Sequence, residues 1–448
     1  MSYTETIIEP PAVFLRPRPL ALTPGSFVLL PLLPKRPPPK ALPAEVWSKV
    51  LEYAFSHDAM KNMEVRERRA ALRANWNMVF VCMSWKDMAL PLYYANVNIF
   101  TLSSLEKFVS HIYSSDQKWD SIRRIPYSTP GRWVQSLDIS DIVLTLNSEL
   151  FFMDLQLTKL FPLLPFLAHL TLHSDLILSN RALEALRLKD GIERLQVLNG
   201  LKVSPPEART SVFDMYEPVF DLLQCCEGLE RLALASPDDE KTHQHAVLES
   251  EADLPSPPSS RPLRLPLLQT LSLLTIPLSP LFTALIHAPL PSLHHLMITP
   301  YDDSLASPTT ALLSAHGTFL TTLQLNSPKH WPTIPHPSPS SLLLTSPALK
   351  HLSLDYPLPT LKLPQGATHP LRVLTIPRPN SRFLRELEAL LPRLPKFQAV
   401  RMKNVKWLRR GVSGKALEAG VQGEMRDWRR RLGRKGVRLL DGDWRDPE

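Results

Sequence analysis

One short apolar pattern recurs along most of this sequence, and its recurrence limits the folds that the chain can adopt. The pattern is Leu-x-x-Leu-x-Leu or a close variant, and its first residue advances by 22 to 39 positions from one unit to the next. Ten units are visible: Val134/Leu137/Ile139, Leu167/Leu170/Leu172, Ile192/Leu195/Val197, Leu229/Leu232/Leu234, Leu268/Leu271/Leu273, Leu293/Leu296/Ile298, Leu320/Leu323/Leu325, Leu349/Leu352/Leu354, Leu371/Leu374/Ile376 and Phe397/Val400/Met402. A single unit cannot bury its own leucines, so the units must stack and share one core.

Each unit combines a strand with a preceding helix. Its last two apolar residues alternate with a polar neighbour, which is strand periodicity, whereas residues 213–225 and 383–391 show helical periodicity. Alternating strands and helices predict a parallel sheet. Most distances between the first residues of successive units are close to the length of a leucine-rich repeat, which is about 20 to 29 residues. The sequence therefore predicts an α/β fold, a leucine-rich-repeat solenoid with a curved parallel sheet on its concave side and helices and loops outside.

The strand alternation also predicts which side chains are exposed. Leu352 and Leu354 should enter the core, whereas His351, Ser353 and Asp355 should face the concave side. The same register places further polar residues there: Ser136, Asp138, His169, Thr171, His173, Arg194, Gln196, Arg231, Thr270, Ser272, His295, Met297, Thr299, Thr322, Gln324, Asn326, Arg401 and Lys403. This is a mostly neutral surface with a basic end, which suits a polar or acidic protein segment.

Residues 42–99 have a different character, because they contain two strongly apolar helical patterns. The first starts after Pro43 and repeats through Val46, Trp47, Val50, Leu51, Ala54 and Phe55. The second repeats through Met78, Val79, Val81, Cys82, Trp85, Met88, Ala89 and Leu92, and should end or kink before Pro91. A segment this short cannot enclose both faces, so a partner should cover them. In the alternative interpretation, the helices only cap the first repeat.

The stretch resembles the F-box-like proteins of the leucine-rich-repeat type, common in fungi. Two motifs carry the resemblance: Leu42-Pro43-x-Glu45-Val46-Trp47-x-x-Val50-Leu51 and Val81-Cys82-x-x-Trp85-x-x-x-Ala89-x-Pro91-Leu92-x-Tyr94. In that family the module docks on the Skp adaptor of a Skp-cullin-F-box ubiquitin ligase. The resemblance implies this role, and through the adaptor a cullin partner, for Leu42, Pro43, Val46, Trp47, Val50, Leu51, Val81, Cys82 and Trp85. It also implies that the repeats hold a target protein, which we place at His295, Met297, Gln324, His351, Asp355, Arg401 and Lys403.

One departure from the family is the connection 57–75, which is longer and more charged than usual and contains a predicted solvent-facing helix at 64–73. The predicted organisation is a disordered proline-rich arm at 1–40, an F-box-like domain at 41–96 and the repeat domain at 97–448. The arm is read as a flexible leader, with a docking ligand as the alternative. A disordered insertion is predicted at 236–262, where Ser256-Pro257 is either a phosphorylation site or part of a solvated loop.

The C-terminal segment carries most of the excess charge. Residues 401–438 contain 13 Lys or Arg and only 3 acidic residues, whereas the whole chain has a net charge of +8. We read 403–448 as a basic C-terminal cap, with a helix at 416–432 that buries Leu417, Val421, Met425, Trp428 and Leu432, followed by a strand at 437–440. The alternative is a basic repeat scaffold that binds nucleic acid or an acidic partner.

Composition excludes several other classes. With 14 Gly against 46 Pro, the chain is a poor candidate for a glycine-loop nucleotide fold. Its three cysteines indicate a reducing compartment, and the sequence has no secretory signal or membrane span. No catalytic motif or metal-ligand spacing is present. We therefore expect a non-enzymatic protein of the cytoplasm or nucleus, without cofactor, metal or membrane partner; an enzyme with no recognised motif is a third alternative.

Overall fold

The computed structural model describes residues 43–55, 63–117, 130–144, 146–203, 218–236, 262–276, 280–300, 308–327, 338–407 and 421–446. The predicted arm at 1–40 and Ser256-Pro257 lie outside the described residues, as does the predicted insertion apart from its end residues Ser236 and Pro262. The chain divides into two compact units, Met1–Ser56 and His57–Glu448. The second unit therefore contains much of the stretch compared with the F-box.

The described part of the first unit is one amphipathic helix, α1 (Ala44–Ala54). Pro43 precedes it, and Glu45 lies in its first turn, where the positive end of the helix dipole stabilises a carboxylate. Leu51 and Phe55 are buried, whereas Val46, Val50 and Tyr53 are exposed. The helix predicted from the first apolar pattern is thus confirmed.

The second unit is built on a sheet of 12 strands that are all parallel and lie in chain order. The strands are β1 (Asn96–Asn98), β2 (Ser136–Asp138), β3 (His169–Thr171), β4 (Val197–Lys202), β5 (Arg231–Ala235), β6 (Thr270–Leu274), β7 (His295–Ile298), β8 (Thr322–Leu325), β9 (His351–Ser353), β10 (Val373–Ile376), β11 (Ala399–Met402) and β12 (Arg438–Leu440). The predicted α/β fold with a parallel sheet is confirmed, and the strand order is compatible with a repeat solenoid.

Helices fill most of the connections between consecutive strands. Before the sheet come α2 (Val65–Met78) and α3 (Met83–Ala95). The connecting helices are α4 (Leu102–Gln117), α5 (Asn147–Leu160), α6 (Asn180–Arg187), α7 (Pro218–Gln224), α8 (Pro280–His287), α9 (Pro308–His316), α10 (Leu342–Thr345), α11 (Ser381–Leu390) and α12 (Val421–Gly433).

The leucine pattern produces the core because one apolar residue of each strand aligns with its equivalents in the neighbouring strands. From β7 to β10 this row is Leu296, Leu323, Leu352 and Leu374, all buried. A second buried row, Ile298, Leu325, Leu354 and Ile376, follows two residues later. Stacked in this way, each leucine is covered by the units on both sides. We call the other side of the sheet, formed by the residues that alternate with these rows, the open face.

The third predicted unit, Ile192/Leu195/Val197, is assigned to the wrong register. Leu198, not Val197, aligns with Leu170 and Leu232 in the buried row. A register shift follows between Leu198 and Leu201, at Gly200, whose φ of 79° favours glycine. Leu201 then aligns with Leu234, so the bulge separates the two buried leucines by three residues instead of two. The predicted open-face residues Arg194 and Gln196 therefore precede the strand.

The basic C-terminal segment contributes a helix and the last described strand of the sheet. Strand β12 pairs with β11, and α12 buries Met425, Trp428 and Leu432. Arg431 donates two hydrogen bonds to the carboxylate of Glu388 on α11. Part of the positive charge is thus neutralised within the protein. Leu417 lies outside the described residues, and Val421 is exposed, in contrast to its predicted burial.

Two buried histidines join neighbouring repeats on the helix side. His316 Nε2 lies 3.0 Å from the Leu285 carbonyl oxygen, and His369 Nε2 lies 3.0 Å from that of Ser346. The Leu371 amide donates to Nδ1 of His369, so the imidazole proton of His369 is on Nε2. Burial lowers the pKa of both imidazoles from the ordinary 6.5. Burial therefore disfavours the protonated form of both side chains in the folded state.

We predict that the free energy of unfolding falls as the pH is lowered from about 7.5 to about 5.5. In this range the unfolded chain takes up protons on these histidines before the folded chain does, so acid favours unfolding. A His316→Gln/His369→Gln variant should show a smaller fall in chemical denaturation, and the exposed His287→Gln variant should show the wild-type fall. An undiminished fall in the double variant would contradict the assignment.

Candidate functional site

The predicted adaptor residues are divided between the two units. In the first unit, Pro43, Val46 and Val50 are exposed and Trp47 is half-buried. Leu51 is buried, so its side chain supports α1 and does not offer a surface to a partner. Leu42 lies outside the described residues. The remaining three, Val81, Cys82 and Trp85, belong to the second unit.

The second apolar pattern predicts a single helix, and this prediction is wrong. The stretch forms two helices, α2 and α3, which are joined by a turn. The turn covers Val79 to Cys82, and Cys82 caps α3 by accepting a hydrogen bond from the Trp85 amide at 3.5 Å. Helix α3 continues past Pro91 to Ala95 and does not end at Leu90. It leads directly into β1, so α3 is continuous with the first strand of the sheet.

This turn places large apolar side chains in solvent. Phe80, Val81 and Met83 are 69%, 60% and 70% exposed, and we call them, with Trp76, the apolar turn. Trp76 contacts the Phe80 ring edge-on at 5.2 Å and the Tyr93 ring at 4.8 Å between centroids. The neighbouring Val79 is buried and anchors the turn. The exposed side chains are therefore presented from a packed aromatic base.

Phe80 and Met83 are missing from the sequence-predicted site. The apolar periodicity predicts a single helix through this stretch, and neither residue belongs to its apolar face. Cys82, which caps α3, is a weak hydrogen-bond acceptor and not one of the usual N-cap residues, so the sequence carries no strong signal for a helix start here. A helix start at this position places the preceding residues in a turn.

Helix α2 is fixed to the C-terminal ends of the first strands. Arg68 Nη1 lies 2.8 Å from the Asp141 carboxylate and 4.0 Å from that of Asp138, and the Arg69 guanidinium lies 4.7 Å above the Phe100 ring. The helix predicted at 64–73 is thus present, but it is not entirely solvent-facing, because Arg68 and Arg69 are half-buried. The connection that departs from the F-box pattern therefore packs on the repeats.

Five of the seven predicted target-binding residues lie on the open face in two rows, and Asp355 and Lys403 follow β9 and β11. His295 and His351 are exposed and stand in one row with Thr322 between them. Met297 and Gln324 are half-buried and adjacent in the next row, to which Arg401 on β11 also belongs. Three residues predicted to be exposed on this face, Ser136, His173 and Thr299, are buried.

The cations at the predicted basic end of the open face already have partners within the protein. Lys403 Nζ lies 3.8 Å from the Asp355 carboxylate and donates to Asn326 Oδ1 at 3.4 Å. The Arg401 guanidinium donates to the Gly442 carbonyl and lies 4.5 Å from the centre of the Trp444 ring. These contacts come from the segment after β12 and from an earlier repeat. Arg401 and Lys403 therefore do not form a separate cationic surface.

The described residues include a cavity lined mainly by charged side chains and a lysine whose pKa is lowered. A cavity of about 620 Å³ is lined by residues of mixed charge, without serine or histidine: Arg187, Asp221, Gln224, Cys225, Glu227, Pro262 and Arg264. Burial lowers the pKa of Lys189 to about 8, and its Nζ donates to the Gly191 carbonyl at 3.3 Å. Within the described ranges, no group of three His, Cys, Asp or Glu side chains could hold a metal ion.

Comparison with known proteins adds no assignment. No protein-family model matches the chain, and a search of curated proteins finds no significant match. None of the described helices is long and apolar enough to cross a membrane. The candidate sites are therefore those that the geometry itself provides, namely the apolar turn, the exposed side of α1 and the open face.

Proposed function

We propose that this protein is the substrate-recognition subunit of a Skp-cullin-F-box ubiquitin ligase. The Skp adaptor binds the helices of residues 43–95, and the target protein binds the open face of the repeats. The observation that carries the proposal is the apolar turn, which overlaps the second motif of the F-box resemblance at Val81. A second support is α1, which carries the first motif and exposes Val46 and Val50.

The physical argument rests on the cost of hydrating adjacent large apolar side chains. Burying one such side chain contributes about 1.5 to 3 kcal/mol, so covering Phe80, Val81 and Met83 together favours association strongly. Exposed apolar groups that are contiguous and held on a rigid base are typical of protein-binding sites. The edge-on packing of Trp76 on Phe80 provides that base, because it reduces the side-chain entropy that binding must remove.

Co-expression with the Skp adaptor should yield a stable binary complex. A Val81→Asp/Met83→Asp variant should bind the adaptor at least about tenfold more weakly in calorimetry, because each change places an unpaired charge in the interface. Val50→Asp tests α1 in the same assay.

Val143→Asp is the matched control, since Val143 is 76% exposed but lies beyond β2 and outside both motifs. This variant should bind like the wild type. Folded wild-type protein that shows no adaptor binding would defeat the proposal. An equal loss in the control would move the adaptor site away from the apolar turn.

A second candidate function is a basic scaffold that binds nucleic acid through the C-terminal segment. It is favoured by Arg434 and Lys435, which are exposed just after α12, and by Arg438, which is exposed on β12. Against it, Arg430 and Arg431 already pair with Asp427 and Glu388. Nuclease treatment separates the two functions, because capture of partners through nucleic acid is lost on digestion, whereas the adaptor complex persists.

A further inference from the structure

One row of hydrogen-bond donors crosses five adjacent strands on the open face. Its members are paired in register from β5 to β9 and are, in order, Arg231, Thr270, His295, Thr322 and His351. We call them the donor row. Neighbouring strands are about 4.8 Å apart, so the row is about 19 Å long, the length of about six extended residues. Each side chain has an N–H or O–H group to offer to a ligand.

The donor row contains the cation Arg231 and two imidazoles and no carboxylate, and basic residues outnumber acidic ones beside it. The next row on the same face is Ala233, Ser272, Met297, Gln324 and Ser353, all uncharged. The residues immediately before the strands add further basic groups: His294 before β7, Lys350 before β9 and Arg372 before β10. Glu230, before β5, is the acidic residue at this edge. Arg231, Lys350 and Arg372 form no ion pair with any part of the chain that the structure describes. The row and its edge therefore attract anions.

The electrostatic surroundings of the two histidines agree with this geometry. Burial lowers the pKa of His295, and the nearby His294 and Arg231 lower it further. Burial likewise lowers the pKa of His351, with additional effects of Arg372, His295 and Lys350. Every charged neighbour that acts on these imidazoles is a base. A bound anion would relieve this repulsion and favour the protonated imidazoles.

We propose that the donor row binds an extended anionic peptide segment of the target protein, whose carboxylates or phosphates accept hydrogen bonds from Arg231, His295 and His351. This inference rests on the proposed function, because it names the class of substrate that the open face selects. It also relocates the anion site from Arg401 and Lys403, which are already paired, to the middle of the sheet. The threonines between the basic residues supply hydroxyl donors to the same segment.

A peptide fits this surface better than a nucleic acid. Single-stranded nucleic acids are usually bound by aromatic side chains on which the bases stack, alongside a basic groove. Neither the donor row nor the adjacent row contains an aromatic ring apart from the two imidazoles. Hydroxyl and imidazole donors in line with the strand starts match the carboxylate or phosphate groups of one extended chain.

The test measures binding of three labelled probes to the full chain: an oligoglutamate peptide, a phosphoserine-rich peptide and a single-stranded RNA. An Arg231→Gln/His295→Gln/His351→Gln variant should bind the peptides about tenfold more weakly, since the Arg231 cation and the two imidazoles that a bound anion would protonate are lost. The control variant Arg181→Gln/His287→Gln/Arg385→Gln, whose exposed side chains lie on helices, should bind like the wild type. If only the phosphopeptide binds, phosphate is the recognised group; if both bind, a carboxylate is sufficient.

The pH arm uses oligoglutamate, which stays ionised throughout. Affinity should increase several-fold between about pH 7.5 and about pH 6, and the increase should be lost in a His295→Gln/His351→Gln variant. Equal peptide binding by the test and control variants would overturn the inference, as would preferential binding of RNA through the row. Adaptor binding is measured in parallel. If the wild type does not bind the adaptor, the proposed function is wrong. If the wild type binds the adaptor but the row variant still binds the peptides normally, only this inference is wrong.

Discussion

Replacing Leu352 with alanine is expected to lower the free energy of unfolding by about 2 to 5 kcal/mol. Leu352 is 1% exposed and aligns with Leu323 on one side and Leu374 on the other. Truncation therefore removes apolar area and leaves a cavity between two rigid neighbours that cannot close over it. Chemical denaturation followed by circular dichroism measures the loss.

The neighbouring Ser353 is the matched control because it lies in the same strand but on the open face. Its hydroxyl has no partner in the core, so Ser353→Ala should change the free energy of unfolding by about 0.5 kcal/mol or less. Equal losses for the two substitutions would mean that β9 has the opposite register. The buried rows and the donor row would then both be wrongly assigned.

Replacing Trp428 with alanine is expected to cost about 3 to 5 kcal/mol. Trp428 is the largest fully buried side chain of the described residues and lies on α12, which packs beside the last strand. Its loss should release the C-terminal cap first, since β12 has a strand neighbour on one side only. Hydrogen exchange of the β11 and β12 amides would detect this release.

Trp428→Phe is the control for this substitution. The indole Nε1 is buried and makes no hydrogen bond within the described structure, so phenylalanine loses volume but no polar partner. A cost of about 1 to 2 kcal/mol is expected. If phenylalanine were as damaging as alanine, the indole N–H would have a partner, and burial would not be the main contribution of Trp428.

The sequence predicted the sheet well because burial in a repeat depends on local spacing. Leu-x-x-Leu-x-Leu fixes which side chains are buried, and nine of its ten units have the predicted register. The exception contains Gly200, where a bulge inserts one residue that no periodicity reveals. Strand β1 escaped prediction because Asn96–Asn98 lacks a leucine and lies inside the stretch assigned to the helices.

The candidate sites were less predictable, since they depend on contacts between distant positions. The pairing of Lys403 with Asp355 and the stacking of Trp444 on Arg401 join segments that the sequence separates widely. Periodicity predicts which side of β11 is exposed, but it does not show that Arg401 and Lys403 already contact other groups of the protein. It did place His295 and His351 in one row, because that row depends only on register. The F-box resemblance itself stays a prediction until adaptor binding is measured.

Strict neighbour-to-neighbour pairing has a further consequence for communication within the second unit. Helix α3 leads into β1, whereas the donor row starts at β5, and the sheet order places β2, β3 and β4 between them. A structural signal would have to pass through each of these strands in turn, including β4 with its bulge. Transmission of this kind requires an element with two discrete arrangements, and the described strands show one pairing each. We therefore expect the proposed adaptor site and the proposed peptide site to be mechanically insulated, so that either surface can diversify while the other keeps its affinity.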